Sequence, residues 1–229
     1  MIAPITPERE WRDALDGLPA WRPPMVPTLL ISPHPDDETL AAGGLLSRLT
    51  MARVEVAVAA VTDGERAYED EPGLGAIREV EQAAALAVLG VPPEKIHRLR
   101  LPDSGLHLEE TTLIEAIRPL AQSAGHVLAP WTGDFHPDHE VCGRAARAVA
   151  AAAGIDLTYY FFWTWHRGTP STLEGLELVS FPLQPGELQR KNDALLCHRS
   201  QLHHPSGQPI LPDNLLQPMQ RPYEVFLPA

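Results

Sequence analysis

Thr28-Leu29-Leu30-Ile31-Ser32-Pro33-His34-Pro35-Asp36-Asp37-Glu38 is a short apolar strand that runs straight into a polar turn, and the turn leads into a helical pattern over 38–51. Outward from it the alternation repeats. Strands are predicted over 53–62, 96–101, 127–130 and 157–163, and helices over 74–89, 111–121 and 138–153. Gly90, followed by Pro92 and Pro93, closes the helix ending at 89. This rhythm predicts an α/β fold, Rossmann-like and doubly wound, with a mostly parallel sheet and helices on both faces.

At 229 residues, with 44% hydrophobic positions, the chain can bury one substantial core but is short for two, so a single domain over residues 1–229 is expected. Fifteen of the 24 prolines gather in about 1–27 and 168–229, which predicts irregular, extended segments wrapped over a more regular centre. The 18 Lys+Arg against 30 Asp+Glu leave a formal charge of −12, which repels phosphate backbones and anionic lipids and excludes nucleic acid as an expected partner. No apolar run approaches the about 20 residues of a membrane span, and the first 25 residues lack a basic-then-apolar signal layout. A cytoplasmic protein acting on a small molecule, without a membrane partner, is expected, and a homo-oligomer stays open. Two cysteines, Cys142 and Cys197, are too few for a disulfide scaffold or a four-cysteine zinc knot. Any metal must rest on histidines and carboxylates.

A doubly wound sheet binds ligands beyond the carboxyl ends of its strands, where the first and fourth strands become neighbours. The loops after Ser32 and after Pro130 should therefore face one another. A dinucleotide site would need a glycine-rich first loop, and Gly43 and Gly44 come too late for that. Instead the first loop holds His34, Asp36, Asp37 and Glu38, while the second reads Gly133-Asp134-Phe135-His136-Pro137-Asp138-His139-Glu140. Clustered carboxylates repel one another unless a cation neutralises them. Two imidazole nitrogens and one carboxylate oxygen, with a position left to water, make a catalytic type of zinc site. The bland alternative, carboxylates complementing helix dipoles, suits Glu38 and Glu140 but does not explain a histidine in each loop.

His34-Pro35-Asp36-Asp37-Glu38 and His136-Pro137-Asp138-His139 resemble the two signature motifs of the LmbE/PIG-L de-N-acetylases, zinc hydrolases of N-acetylglucosamine-type substrates. Supporting blocks fall in the same order: Thr62-Asp63-Gly64-Glu65, Arg78 with Glu81, Leu101-Pro102-Asp103, then Lys191 to His198 and Ser200-Gln201. The resemblance implies His34, Asp37 and His139 as ligands of one Zn2+. It implies Asp36 as general base and acid, and His136 as donor to the oxyanion growing on the acetyl carbonyl, with Asp138 fixing the tautomer of His136 and keeping it cationic. Ser32-Pro33 departs from the small residue usual before the first histidine, without removing a functional side chain.

Substrate contacts are less legible. Arg78 either holds substrate or pairs with Glu81 one helical step away. His198 either packs a helix end or reaches the site. Trp131 and Trp165, just outside strand ends, are candidates to stack on a sugar, and His203 and His204 read as solvated. The leading function is a zinc-dependent amidase removing acetate from an acetylated amino sugar, glycoconjugate or related small metabolite. The alternatives are a zinc-dependent hydratase or lyase acting on an unsaturated carboxylic acid, or a non-catalytic metal-stabilised binding module. A hydratase would converge arginines on the pocket, with Arg66, Arg78, Arg144, Arg167, Arg199 and Arg221 as candidates, whereas a sugar site would bring aromatic and hydrogen-bonding groups.

Overall fold

The computed structural model describes residues 3–68 and 71–229. In chain order it comprises α1 (Glu8–Ala14), β1 (Thr28–Ser32), α2 (Asp37–Met51), β2 (Val56–Ala60), α3 (Leu74–Val88), β3 (Ile96–Arg98), α4 (Glu110–Ala121), β4 (His126–Pro130), α5 (Pro137–Ala153), β5 (Asp156–Tyr160), α6 (Thr164–Arg167), β6 (Val179–Pro182), α7 (Pro185–Leu195) and β7 (Tyr223–Pro228), with short helical turns between some of them.

All of β1 is buried, and its side chains alternate between two cores, as a strand covered on both faces requires. Leu29 and Ile31 join Val127 and Ala129 of β4 under Leu113 and Ile117 of α4 and Val141 and Ala145 of α5. Leu30 joins Val56, Val58 and Leu128 under Leu45 and Leu46 of α2, Leu86 of α3 and Ala194 of α7. The seven strands run in the order β3-β2-β1-β4-β5-β7-β6. The first five pair in parallel, and β1 pairs with β4, which is the predicted switch point.

The C-terminal third departs from the expected extended wrapping. Residues 168–229 supply α7 and two antiparallel strands, with β7 inserted between β5 and β6. The prolines do not prevent this, because Pro185 sits in the first turn of α7, where its missing N–H costs nothing. Pro182 and Pro228 end their strands. Glu224 of β7 accepts from the backbone of Gly44 and Leu45 at 2.8 and 2.9 Å and from Lys191 Nζ at 2.8 Å, so one buried carboxylate ties the added strand to α2 and α7. No helix among the described residues is long and apolar enough to cross a membrane. Both cysteines are free, and Cys142 is buried.

Candidate active site

The loop leaving β1 turns into α2 through Asp36, the N-cap, whose φ of 150° and ψ of −27° lie where side-chain-bearing residues are strained. Its carbonyl already accepts from Thr39 and Leu40, at 2.9 and 2.8 Å. The helix start therefore pins the strained residue from one side. From the other, Arg78 of α3 donates through Nη2 to Asp36 Oδ2 at 3.0 Å and to the Pro35 carbonyl at 2.9 Å, and through Nη1 to the Gly64 carbonyl at 2.9 Å. Gly64, at φ 61°, is needed there, because a Cβ would run into the guanidinium. Burial raises the Asp36 carboxyl above its ordinary value, opposed by Arg78 and reinforced by Asp37 and Glu38. Glu38 does more than face a helix dipole: fully buried, it accepts from Ser32 Oγ at 2.7 Å and Gln82 Nε2 at 3.1 Å beneath Asp36.

The second loop enters α5 with Pro137 in the first turn and His136 as N-cap. His136 Nδ1 accepts the Asp138 backbone N–H at 3.2 Å, so the ring's own proton sits on Nε2. The expected arrangement, with the Asp138 carboxylate fixing this tautomer and keeping His136 cationic, is therefore corrected in two ways. The Asp138 carboxylate faces His34 Nε2 at 3.3 Å and accepts from the backbone of Ser104 and Leu106 at 2.7 and 3.2 Å. Burial first, and the charges of His139 and His34 second, drive the His136 pKa down. The neutral ring still offers a donor.

Asp134, quoted in the motif but given no role there, organises the loop. Fully buried, it accepts His139 Nδ1 at 2.8 Å. It also accepts the backbone N–H groups of Phe162, Trp163 and Thr164 and the Thr164 hydroxyl at 2.6–3.2 Å. This commits Nδ1 of His139 to an N–H, so that Nε2 is the nitrogen that offers a lone pair once the ring is neutral. Its partners other than His139 lie about thirty positions away, beyond β5, so no local pattern announces how the loop is held.

His34, Asp37 and His139 present ligand atoms that all lie within 4.8 Å of one another. His34 Nδ1 and His139 Nε2 stand 3.1 and 3.2 Å from Asp37 Oδ2. His139 Nε2 is buried and makes no hydrogen bond, an orphan that a metal would satisfy. His34 Nε2 faces Asp103 and Asp138 at 3.4 and 3.3 Å, which commits that nitrogen and turns Nδ1 to the cluster. A second grouping, His34, His136 and Asp138, is equally compact. There, however, the Asp138 oxygens and His136 Nδ1 are already used by backbone donors. The donor set of the first grouping fits a divalent metal.

Above it lies a cavity of about 230 Å³ onto which His34, Asp36, Asp37, Arg78 and His136 open. Arg78 thus faces the cavity and does not pair with Glu81, whose carboxylate accepts from the backbone N–H and hydroxyl of Ser200 at 2.8 and 2.7 Å. Trp131 does not line the cavity. Its N–H bonds the Tyr160 carbonyl at 2.8 Å, so it continues the strand ladder and packs on Phe161. Trp165 is buried against Trp11. Because β5 ends at Tyr160 and not at residue 163, the tryptophan on the cavity is Trp163, stacked on His136 with ring centroids 5.6 Å apart. His198 is buried against Thr39 Oγ1 at 3.2 Å and does not reach the cavity. His204 is not merely solvated, since its ring stacks on Tyr68.

Comparison with known proteins gives a consistent picture. The PIG-L family, described as GlcNAc-PI de-N-acetylase, matches residues 29–150. The chain is 34% identical over 140 residues to the diacetylchitobiose deacetylase of Thermococcus kodakarensis, covering 56% of this chain and 50% of that protein. It is 27% identical over 205 residues to the 1D-myo-inositol 2-acetamido-2-deoxy-alpha-D-glucopyranoside deacetylase of Actinosynnema mirum, covering 73% of this chain and 71% of the relative. The chain thus spans from half to about seven tenths of the length of these relatives. The N,N'-diacetylchitobiose deacetylase of Pyrococcus horikoshii shares the fold, with a TM-score of 0.69 at 22% identity over 97% of this chain and 88% of that one.

Proposed function

The chain belongs to the PIG-L family of de-N-acetylases, and from that membership we propose that it is a zinc-dependent amidase removing the N-acetyl group from an acetylated amino sugar or related small metabolite. We assign the activity to a single domain spanning residues 1–229. The observation that carries the reading is the orphaned His139 Nε2 converging with His34 and Asp37 beside a buried, unligated Asp36 that opens on the same cavity. A purely structural metal site gains nothing from such a carboxylate.

His34, Asp37 and His139 would hold the metal, which supplies Lewis-acid polarisation of the acetyl carbonyl and acidification of water. Asp36, its carboxyl raised by burial and oriented by Arg78, takes the proton of the attacking water and returns it to the leaving amine. His136, neutral with its proton on Nε2, donates to the oxygen on which negative charge develops. Asp134 and Asp138 hold the two histidine ligands in the tautomers this requires.

Of the candidate arginines, Arg144 is bound to Glu110 and Arg221 to Glu8, away from the cavity, while Arg78, bound to Asp36, lines it together with Arg66 and Arg167, so arginine placement does not separate the two readings and the preference for the amidase rests on the family membership. The test is acetate release from N-acetylglucosamine and its glycosides by zinc-loaded protein. Release that disappears on chelation and returns with zinc supports the reading. A metal-loaded protein that releases no acetate, but hydrates an unsaturated acid, overturns it.

A further inference from the structure

We infer that His198 and Gln201 are positioning residues for the base: together with Arg78 they close around one internal water, which accepts from Arg78 Nε and so locks the guanidinium that holds Asp36. The inference rests on the deacetylase reading, in which Asp36 moves the proton.

The three residues come from two helices fastened to one another. A single-turn helix, α8 (Arg199–Leu202), follows α7 with His198 as its N-cap and packs on α3, which carries Arg78. Glu81, three residues beyond Arg78, accepts from the Ser200 backbone N–H and hydroxyl at 2.8 and 2.7 Å and pins α8 at that level of α3. The Gln201 N–H bonds the His198 carbonyl at 3.1 Å, closing the turn that carries both side chains. Burial pulls the His198 pKa down to about 3, and the nearby Arg78 guanidinium adds to the fall, so the ring is neutral and has one N–H.

All three side chains are almost wholly buried, and each keeps one polar atom without a partner: Arg78 Nε, His198 Nδ1 and Gln201 Oε1. Their neighbours fix what each atom can do. Thr39 Oγ1 donates to Glu38 Oε1 at 3.2 Å, so it accepts from His198 Nε2, also at 3.2 Å, and Nδ1 is left as a lone pair. Gln201 Nε2 donates at 2.9 Å to Ser200 Oγ, whose own proton goes to Glu81, which orients the amide and leaves Oε1 an acceptor. Arg78 Nε can only donate, while Nη1 and Nη2 are taken by Gly64, Pro35 and Asp36.

One donor and two acceptors cannot all be satisfied by pairing among themselves. A single water matches the set, accepting once and donating twice, and about three bonds is the usual complement of a buried water. Such a water ties down the last free N–H of Arg78, so the guanidinium cannot twist about its stem and Asp36 Oδ2 keeps its place. The late block Lys191 to His198 and Ser200-Gln201 thereby acts on the site from behind, without opening on the cavity.

A high-resolution crystal structure of the zinc-loaded protein should show one water within hydrogen-bond distance of Arg78 Nε, His198 Nδ1 and Gln201 Oε1. His198→Phe and Gln201→Leu each remove one acceptor while keeping bulk, and should lower kcat on N-acetylglucosamine about tenfold with KM and bound zinc unchanged, the effect of a loosened base. His198→Asn keeps an acceptor oxygen close to the position of Nδ1 and should recover most of that loss. A role in folding alone would lower Tm with kcat intact, or cost activity that the asparagine does not restore. Either result overturns the inference, as does a structure with no water density joining the three atoms, or kcat unchanged in whichever of the two apolar variants folds and keeps its zinc. If the parent releases no acetate, the deacetylase reading fails separately. Crystal structures of the parent and His198→Phe then decide, supporting the inference if the variant loses the water and the Arg78 bond to Asp36 and overturning it if that bond stays.

Discussion

Asp36 combines a strained backbone with a buried carboxylate held by Arg78, so its placement is rigid before any substrate arrives. Asp36→Asn preserves the shape but cannot accept a proton, and kcat should fall by about 10²–10⁴ while bound metal and the folded structure persist. Near-parental turnover of that variant with metal retained would remove Asp36 from the role of base. His139 and His136 should part company in the same assay. His139→Ala removes the buried orphan nitrogen and should empty the site. His136→Ala should leave metal content nearly intact and lower kcat by about 10²–10³, the cost of one oxyanion donor. Metal analysis showing equal loss in both variants would mean that His136 is a ligand. The residue types and their spacing made these side chains legible in the sequence. Which atom faces which was not, because the tautomer of His136 is set by a backbone N–H and that of His139 by a carboxylate five positions earlier.

At the scale of elements, the site is the meeting of two helix starts, and Asp134 holds the second of them to the exit of β5. Its carboxylate gathers backbone donors at Phe162, Trp163 and Thr164, so an amide there turns N–H groups against N–H groups. Asp134→Asn should weaken metal binding by about 10–100-fold in chelator competition. It should also destabilise the metal-free protein by about 3–5 kcal/mol in denaturant unfolding, the scale of a broken buried ionic network. Unchanged affinity would mean that His139 keeps its tautomer without help. The helices of the centre could be read to within a residue or two, because their apolar periodicity and end signals agree. The aromatic run after β5 misled, since the strand stops at Tyr160 and the chain turns there, carrying Trp163 out to the cavity while Trp165 goes into the core. Arg78 misled likewise: a helical partner three residues on is available, but the side chain buries itself among loop carbonyls.

For the whole molecule, the acidic cluster couples folding to protons and to metal. Burial pulls the His139 pKa down, but Asp37 and Asp134 outweigh it and lift it to about 9 in the metal-free protein. His34 is raised as well, by Asp103, Asp138 and Asp37 against its burial. A histidine raised in this way stabilises the fold fully below its ordinary value of 6.5, and the contribution is lost as pH rises through about 9. Metal needs both rings unprotonated, so the rise in Tm on adding zinc should grow between pH 6.5 and 9, and binding near pH 7.5 should release protons. Calorimetry in buffers of different ionisation enthalpy reads that release, and a binding heat independent of buffer would contradict it. The parallel half of the sheet was legible because strands buried on both faces are continuously apolar. The antiparallel half was hidden, because its two strands are short, end in Pro182 and Pro228, and have partners more than forty residues apart. That half also sets an order of assembly. As the chain leaves the ribosome, β6 emerges before the neighbour that joins it to the sheet, held meanwhile by the bridge between Ala20 and Ser180, the bonds flanking it and the packing of Phe181 on Trp21. Until residues 223–228 arrive, β5 keeps an open edge that another nascent chain can pair with, so a ribosome stalled after α7 would expose a sticky strand edge that β7 covers in the folded sheet.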